Sequence, residues 1–452
     1  MTGRRLLLVE PRRLAVRAAA RRPAGRGGGG VAGTIGYAVR GERRPGPRTR
    51  LEVLTEGLLV RRLQHDPSLD GVAGVVLDEF HERSLDLDLA LALLLDARSG
   101  LRPDLRLLVM SATLDPVGVA GLLGGDARPG GPGTPVPVVR IDAPTHPVET
   151  RYRPGSAHDR IEDRTAAVVR EALASDPGDV LVFLPGRGEI RRTAERLRGP
   201  DAPAAGVVLH ELHGSVPAAA QDAALSPDPR GRRKVVLSTS VAETSVTVPG
   251  VRVVVDAGRR RTSRVDPATG LPGLETGPVS ASGADQRRGR AGRTAPGVCY
   301  RLWARADERH RPASDVPEGG DGDLSALVLQ VAAWGADVDD LRWLDPPRGP
   351  HLRAARGLLA DLGAVDDDGR PTAAGRRLAE LGFHPRLGAV VLGAGEGTTA
   401  AALAAVLETD RPGDPDVVER VREVRRGRAP DDVRRAAADW RRRLGAGTSD
   451  TG

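Results

Sequence analysis

VVLDEFHERSLDLDLALALLLD, residues 75–96, opens as an apolar run, turns abruptly polar at Asp78, Glu79, Phe80 and His81, and resumes as a helix-like segment. Two carboxylates and an imidazole thus stand at the end of what reads as a core strand. Five more apolar runs end the same way, in polar or glycine-rich clusters: RRLLLVEPRR (4–13), LRLLVMSAT (105–113), DVLVFLPG (179–186), KVVLSTSVAETS (234–245) and VRVVVDAG (251–258). Continuous apolar runs separated by helix-length segments are the pattern of parallel strands covered on both faces. In such open sheets the chemistry sits beyond the carboxyl ends of the strands.

The runs fall into two sets, divided by the Gly/Pro-rich stretch 124–137, which places a linker between two α/β domains near residue 145. Beyond about residue 300 the strand pattern fades. DLSALVLQVAAWG (323–335), HLRAARGLLADLGAV (351–365) and TAAGRRLAELG (372–382) read as amphipathic helices with glycine stops. GAVDDDGRPTAAG reads as a short hairpin or wing, and residues 416–445 as basic helix.

At 452 residues there is room for two or three domains, each with its own core. No apolar run approaches the ~20 residues that cross a bilayer. The run Leu6 to Val9 near the start is too short for a signal sequence. A single cysteine, Cys299, excludes an internal disulfide and suits a reducing compartment, so the expected location is the cytoplasm. The net charge is +7, and Lys234 is the only lysine among 67 basic residues. That habit fits GC-rich coding, and its sign fits attraction to phosphate backbones.

An Asp-Glu pair alone is an ordinary acidic turn. At a strand end, however, Asp78 can hold Mg2+ and Glu79 can accept a proton from water attacking a γ-phosphate. SAT at 111–113 ends the next apolar run, and QRRGRAGR (286–293) offers arginines able to reach a transferring phosphate, with glycines for close backbone approach.

The ordered set of motifs resembles the DEAH-type superfamily 2 helicases, and within them the bacterial HrpB type. EPRRLAVRAAA (10–20) resembles motif Ia and LTEG (54–57) motif Ib. DEFH (78–81) is similar to motif II, with Phe80 where the eponymous motif has Ala, and SAT to motif III. LVFLPG (181–186) resembles motif IV, and STSVAETSVTV (238–248) motif V with Ser240 where Asn is usual. QRRGRAGR resembles motif VI. Such a set is far more specific than any single match.

The resemblance implies two RecA-like parallel-sheet domains, the first incomplete (1–145), the second at 146–305. A winged-helix-like domain (306–385) and the start of a ratchet-like helical bundle with a tail (386–452) would follow. It implies ATP and Mg2+ as cofactors, and single-stranded nucleic acid, RNA ahead of DNA, as partner. By position, Asp78 and Glu79 would be the metal and water-activating carboxylates, and His81 would couple them to neighbouring motifs. Ser111 and Thr113 would link hydrolysis to domain movement. Gln286 would orient the water, Arg290 and Arg293 would be the fingers, and Ser245 would sense the nucleotide. Arg12, Arg13, Thr55, Gly186 and Thr239 would touch the nucleic-acid backbone, which positions a strand without reading it.

One expected part is missing. The family holds its triphosphate in a G-x-x-x-x-G-K-[ST] loop ahead of motif Ia, and no such sequence occurs here. Lys234 follows no glycine-rich loop. The expectation is of a first domain short of one central strand and its loop, through a start placed too late or a true fragment, and of a C-terminal region that continues further in the family. Three readings follow: an ATP-dependent helicase with part of its sequence absent, a non-hydrolysing nucleic-acid-binding remnant, or a protein-binding scaffold. The joint presence of Asp78, Glu79, Gln286, Arg290 and Arg293 favours the first for the family, and the absent loop favours the second for this polypeptide. The scaffold has no support of its own.

Overall fold

The computed structural model describes residues 4–26, 33–39, 42–44, 46–112, 116–124, 136–141, 145–156, 158–199, 206–243, 246–265, 272–315, 322–394, 397–408 and 416–445. Thr113 and Ser245 lie outside them. The chain forms two compact units, Met1–Asp323 with Asp339–Arg348, and Leu324–Val338 with Gly349–Gly452.

The first unit holds two six-stranded sheets. The strands of the first are Arg5–Glu10 (β1), Ile35–Val39 (β2), Glu42–Arg44 (β3), Leu51–Thr55 (β4), Val72–Leu77 (β5) and Arg106–Val109 (β6), in the order β3-β2-β4-β1-β5-β6. All neighbours are parallel except β2 and β3. Its helices are Arg13–Arg26 (α1), Glu56–His65 (α2), Leu85–Ser99 (α3) and Pro116–Gly124 (α4).

The second sheet is parallel throughout: Val148–Tyr152 (β7), Asp179–Phe183 (β8), Val207–Leu212 (β9), Arg233–Ser238 (β10), Val251–Asp256 (β11) and, after an antiparallel ribbon of Arg259–Val265 (β12) and Pro272–Pro278 (β13), Gly297–Arg301 (β14). The order is β7-β14-β11-β8-β10-β9. Helices Ile161–Ser175 (α5), Arg187–Leu197 (α6), Ala218–Leu225 (α7) and Ala281–Gly289 (α8) connect these strands.

All six apolar runs are strands: β1, β5, β6, β8, β10 and β11. The Val and Leu side chains of β8, β10 and β11 pack on both faces of the second sheet, in clusters around Val182, Leu237 and Val255 on one side and Leu181, Val236 and Val254 on the other. Each fully buried aliphatic side chain contributes about 1.5–3 kcal/mol. Cys299 is sealed in the second cluster, where burial pushes its thiol up to about 12. Lys234 is equally buried; its ammonium donates to the carbonyls of Ala224 and Ser226 at the end of α7, 3.2 and 2.7 Å away.

The second unit is helical. Its helices are Ser325–Trp334, Gly349–Asp361, Ala373–Leu381, Pro385–Gly393, Gly397–Glu408, Val417–Arg425 and Asp431–Gly445. A bridge between Val365 and Pro371 closes a short hairpin where the sequence suggests a wing. Gly375 lets this hairpin lie against the next helix, since a Cβ there would meet the Ala364 carbonyl oxygen at 1.9 Å. Trp440 anchors the far end. It is stacked on Phe383 with ring centroids 4.8 Å apart, and its indole N–H donates to Glu408 at 2.6 Å.

Candidate active site

The turn after β5 is built by backbone constraint. The amide of Asp78 donates to the Val9 carbonyl of β1 at 3.0 Å, and that of Phe80 to the Met110 carbonyl after β6, also at 3.0 Å. Between these ties the chain must fold tightly. Glu79 takes a left-handed conformation (φ +51°), Phe80–Glu82 form a 3-10 turn, and Arg83 is left-handed again (φ +49°). A non-glycine residue in that region costs roughly 1–2 kcal/mol. The Asp78 carboxylate offsets part of this by accepting the Glu79 amide at 2.8 Å. Ser84 then caps α3 by accepting from Leu87 N at 3.1 Å, and the buried Phe80 ring closes the turn from below.

The electrostatics follow from that crowding. Burial, then the Asp78 and Glu82 carboxylates, push the Glu79 carboxyl up to about 7, against the pull of Arg290 and Arg293. Those two arginines belong to the second sheet's side of the unit, so the two motifs lie within electrostatic reach of each other. Burial also raises Asp78, which shares a hydrogen bond with the Glu10 side chain at the end of β1. Burial lowers His81, against the pull of the Glu82, Asp78 and Glu243 carboxylates. Its Nδ1 accepts from the Ala112 amide at 3.4 Å, and its Nε2 lies 3.4 Å from Glu79 Oε2. One imidazole thus touches both the acidic turn and the SAT segment, where Ser111 is exposed.

On the opposite side, Gln286 is half-buried on α8. Arg290 is buried, its Nε donating to the Glu243 carbonyl at 2.7 Å and its Nη1 to that of Val246. Arg293 is exposed and bonded to Thr247. The residue that fixes this face is one the sequence reading missed. Arg287 is fully buried, with Nε on Glu243 and Nη1 on Asp256, each at 2.9 Å, and its guanidinium 5.0 Å from the Phe183 ring centroid. The clue available in the sequence was a strand, VRVVVD, that ends on a lone buried-looking carboxylate, Asp256.

Three of the five residues expected to touch nucleic acid stand at strand-to-helix turns. Thr55 precedes α2, Gly186 precedes α6, and Thr239 precedes a 3-10 turn and accepts from the Val241 amide. Helix N-termini present unpaired amides suited to phosphate. Arg13 opens α1 and is exposed. Arg12 is differently engaged: its guanidinium pairs with Glu82 at 3.0 Å and donates to the Ser240 carbonyl, bridging the two α/β domains.

The donor set suits a magnesium ion shared with phosphates. Among the described residues no group of three or more His, Cys, Asp or Glu could hold a metal. Two adjacent carboxylates, with the remaining positions left to phosphate oxygens and water, are what Mg2+ takes in nucleotide sites.

Residues 163–295 match the model of the helicase conserved C-terminal domain. The chain is 44% identical over 421 residues to the ATP-dependent RNA helicase HrpB of Escherichia coli (strain K12), across 91% of this chain and 50% of that protein. It also superposes on the crystal structure of the Escherichia coli DEAH/RHA helicase HrpB with a TM-score of 0.87 at 41% identity, over 98% of this chain and 55% of the other. This chain belongs to the HrpB-like, DEAH-type superfamily 2 helicases. A more distant member of the superfamily, the Schizosaccharomyces pombe pre-mRNA-splicing factor ATP-dependent RNA helicase prp22, is 34% identical over 392 residues, 85% of this chain and 32% of that one. The HrpB-like chain spans about half the length of HrpB and about a third of prp22. No described helix is long and apolar enough to cross a membrane.

Proposed function

We propose that this chain carries the motor elements of an ATP-dependent helicase that moves along single-stranded RNA, with Asp78, Glu79 and His81 facing Gln286, Arg290 and Arg293 around the nucleotide. The observation that supports this best is the Glu79 carboxyl. It is held at about 7 by burial and two neighbouring acids, and opposed by arginines from the other α/β domain. A carboxyl poised near neutrality can accept a proton from water. Mg2+, when bound with ATP, neutralises charge on the phosphates. Asp78 would hold it, Gln286 would orient the water, and Arg290 and Arg293 would stabilise charge on the transferring group. Ser111 and His81 join this site to the segment after β6. Ser245 would read the nucleotide from the second domain, and Thr113 would complete the SAT link.

Arg12, Arg13, Thr55, Gly186 and Thr239 would follow a strand's backbone, giving binding with little sequence preference and a steep fall with salt as counterions are released. The relatives named for RNA support RNA as the strand.

A second reading, binding without hydrolysis, is favoured by one observation. The single lysine is buried under α7 and occupied by two carbonyls, so no lysine of these 452 residues can serve a phosphate. Positioning supplies nearly all catalysis of phosphoryl transfer. The 452-residue chain should therefore release phosphate only at background, with or without RNA. The same chain extended at its amino end by a strand, a phosphate loop and a helix should show RNA-stimulated release that Glu79→Gln abolishes without loss of nucleotide binding. Turnover by the unextended chain that Glu79→Gln removes would overturn the need for that loop. Absence of turnover from the extended chain would favour binding alone.

A further inference from the structure

Of all residues after Asp323, only Asp339–Arg348 group with the first unit. The chain reaches this segment from the helix Ser325–Trp334 and leaves it into the helix Gly349–Asp361, both of the helical unit. Apart from a 3-10 turn over Val338–Asp340 it is irregular. Its anchorage is specific. Asp345 Oδ2 accepts from Arg83 Nη1 at 2.6 Å. Leu344 lies against α4, its Cδ1 3.4 Å from where a Cβ on Gly118 would stand. Arg342 is within electrostatic reach of Asp96 on α3, with the like charge of Arg98 beside it.

Arg83 is an unusual anchor. It is the residue that closes the acidic turn, left-handed at φ +49°, with its amide bonded to the Phe80 carbonyl at 3.3 Å. Its side chain is only 9% exposed and lies 5.9 Å from the centroid of the Phe80 ring. The same guanidinium donates through Nε and Nη2 to both oxygens of Asp88, each at 3.0 Å. Asp88 alone would satisfy a structural arginine at this place. The other edge, through Nη1, goes to Asp345, 262 residues away in sequence. Because the guanidinium is planar and rigid, the directions of its two edges cannot change independently. With one edge held by Asp88 and the other by Asp345, a side chain of the turn that carries Glu79 is held between α3 and this segment.

We propose that Asp339–Arg348 is a strap that follows the state of the Asp78–Arg83 turn, and that Arg83 is the positioning residue that couples them. The strap is continuous with the helical unit at both ends, so the turn beside the nucleotide carboxylates is tied to a segment that both leaves and re-enters that unit. This rests on the function proposed above. Arg83 touches no reacting atom in this scheme.

The test is amide hydrogen exchange on the 452-residue chain, which requires no turnover and so stays decisive even if hydrolysis is never observed. Asp345 is 64% exposed at its side chain, so Asp345→Asn should leave the fold and the exchange of β10 unchanged. It should speed exchange about fivefold both in residues 339–348 and in the amides of Phe80, Glu82 and Arg83, the upper range for a pair with one exposed member. Asp345→Glu should restore both. Arg83→Lys, which keeps charge but loses the fork, should reproduce the Asp345→Asn pattern. If Arg83→Lys fails to fold, Asp345→Asn and Asp345→Glu carry the test alone. Faster exchange confined to the strap, with the turn unaffected, would reduce Asp345 to a simple tether and overturn the coupling. No change in either segment would overturn it as well.

Discussion

The two sheets of the first unit have the same strand number and opposite edges. In the second sheet the last strand of the order, β9, packs Val207 and Leu209 onto the core and buries Leu212. In the first, β6 closes the order with Leu108 53% exposed, and Met110 just beyond it is partly bare. Val139 and Ile141, in an irregular stretch further along the chain, are 82% and 85% exposed. Their site faces differ in the same sense. The second is locked by Arg287 between two buried carboxylates, while the first is a strained acidic turn one strand from the open edge. Parallel sheets are stable when both faces and the edges are covered. The second sheet is thus a satisfied frame, and the first carries the acidic turn on a less supported one.

The strongest way to break this contrast is Arg287→Ala. It leaves Glu243 and Asp256 buried without their cation and should cost about 3–5 kcal/mol by urea unfolding. A loss under about 1 kcal/mol would mean that water reaches the triad and that the frame is not locked. Next come paired truncations. Leu237→Ala, in the core of the second sheet, should cost about 2–5 kcal/mol. Leu108→Ala, on the open edge, should stay within about 0.5 kcal/mol. A comparable cost at Leu108 would show that something covers β6 in solution.

The smallest effect sharpens the strained turn itself. Carbon-detected NMR should find the Glu79 carboxyl titrating at about 7 in the nucleotide-free chain, and Glu82→Gln should lower that midpoint by removing a like charge. A carboxyl raised in the folded state binds its proton more tightly there than when unfolded. Its contribution is therefore fully present below the ordinary glutamate range and is lost as pH rises from that range through about 7. A Glu79 that titrates like a free glutamate would remove the strain from this account.

Much of this was legible without coordinates. The six apolar runs are the six strands they resemble; for β5, β8, β10 and β11 this is because a strand covered on both faces is apolar nearly throughout. The remaining strands were not read. ERR, VETRY and VVLHEL are short, half-exposed or interrupted by charge, and only their neighbours make them strands. The acidic turn and the arginine cluster could be picked out because their chemistry is carried by adjacent residues. What holds them could not. Arg287 meets its partners 44 and 31 positions away, and Arg83 meets Asp345 at 262, distances over which no spacing rule operates. Arg12 was read as a hand for nucleic acid, and in the folded chain it already grips Glu82 and Ser240.

The burial of Cys299 and Lys234 has a practical side. The single thiol lies in the interior, with its ionisation pushed up to about 12, and the single side-chain amine is capped by carbonyls. The folded protein is therefore nearly silent to maleimides, and its one lysine side chain is shielded from amine-directed esters. A cysteine placed on the strap, or at the rim of the acidic turn, would be the only fast-reacting thiol in these 452 residues. Fluorophores could then be placed without first stripping the native chain of its own reactive groups.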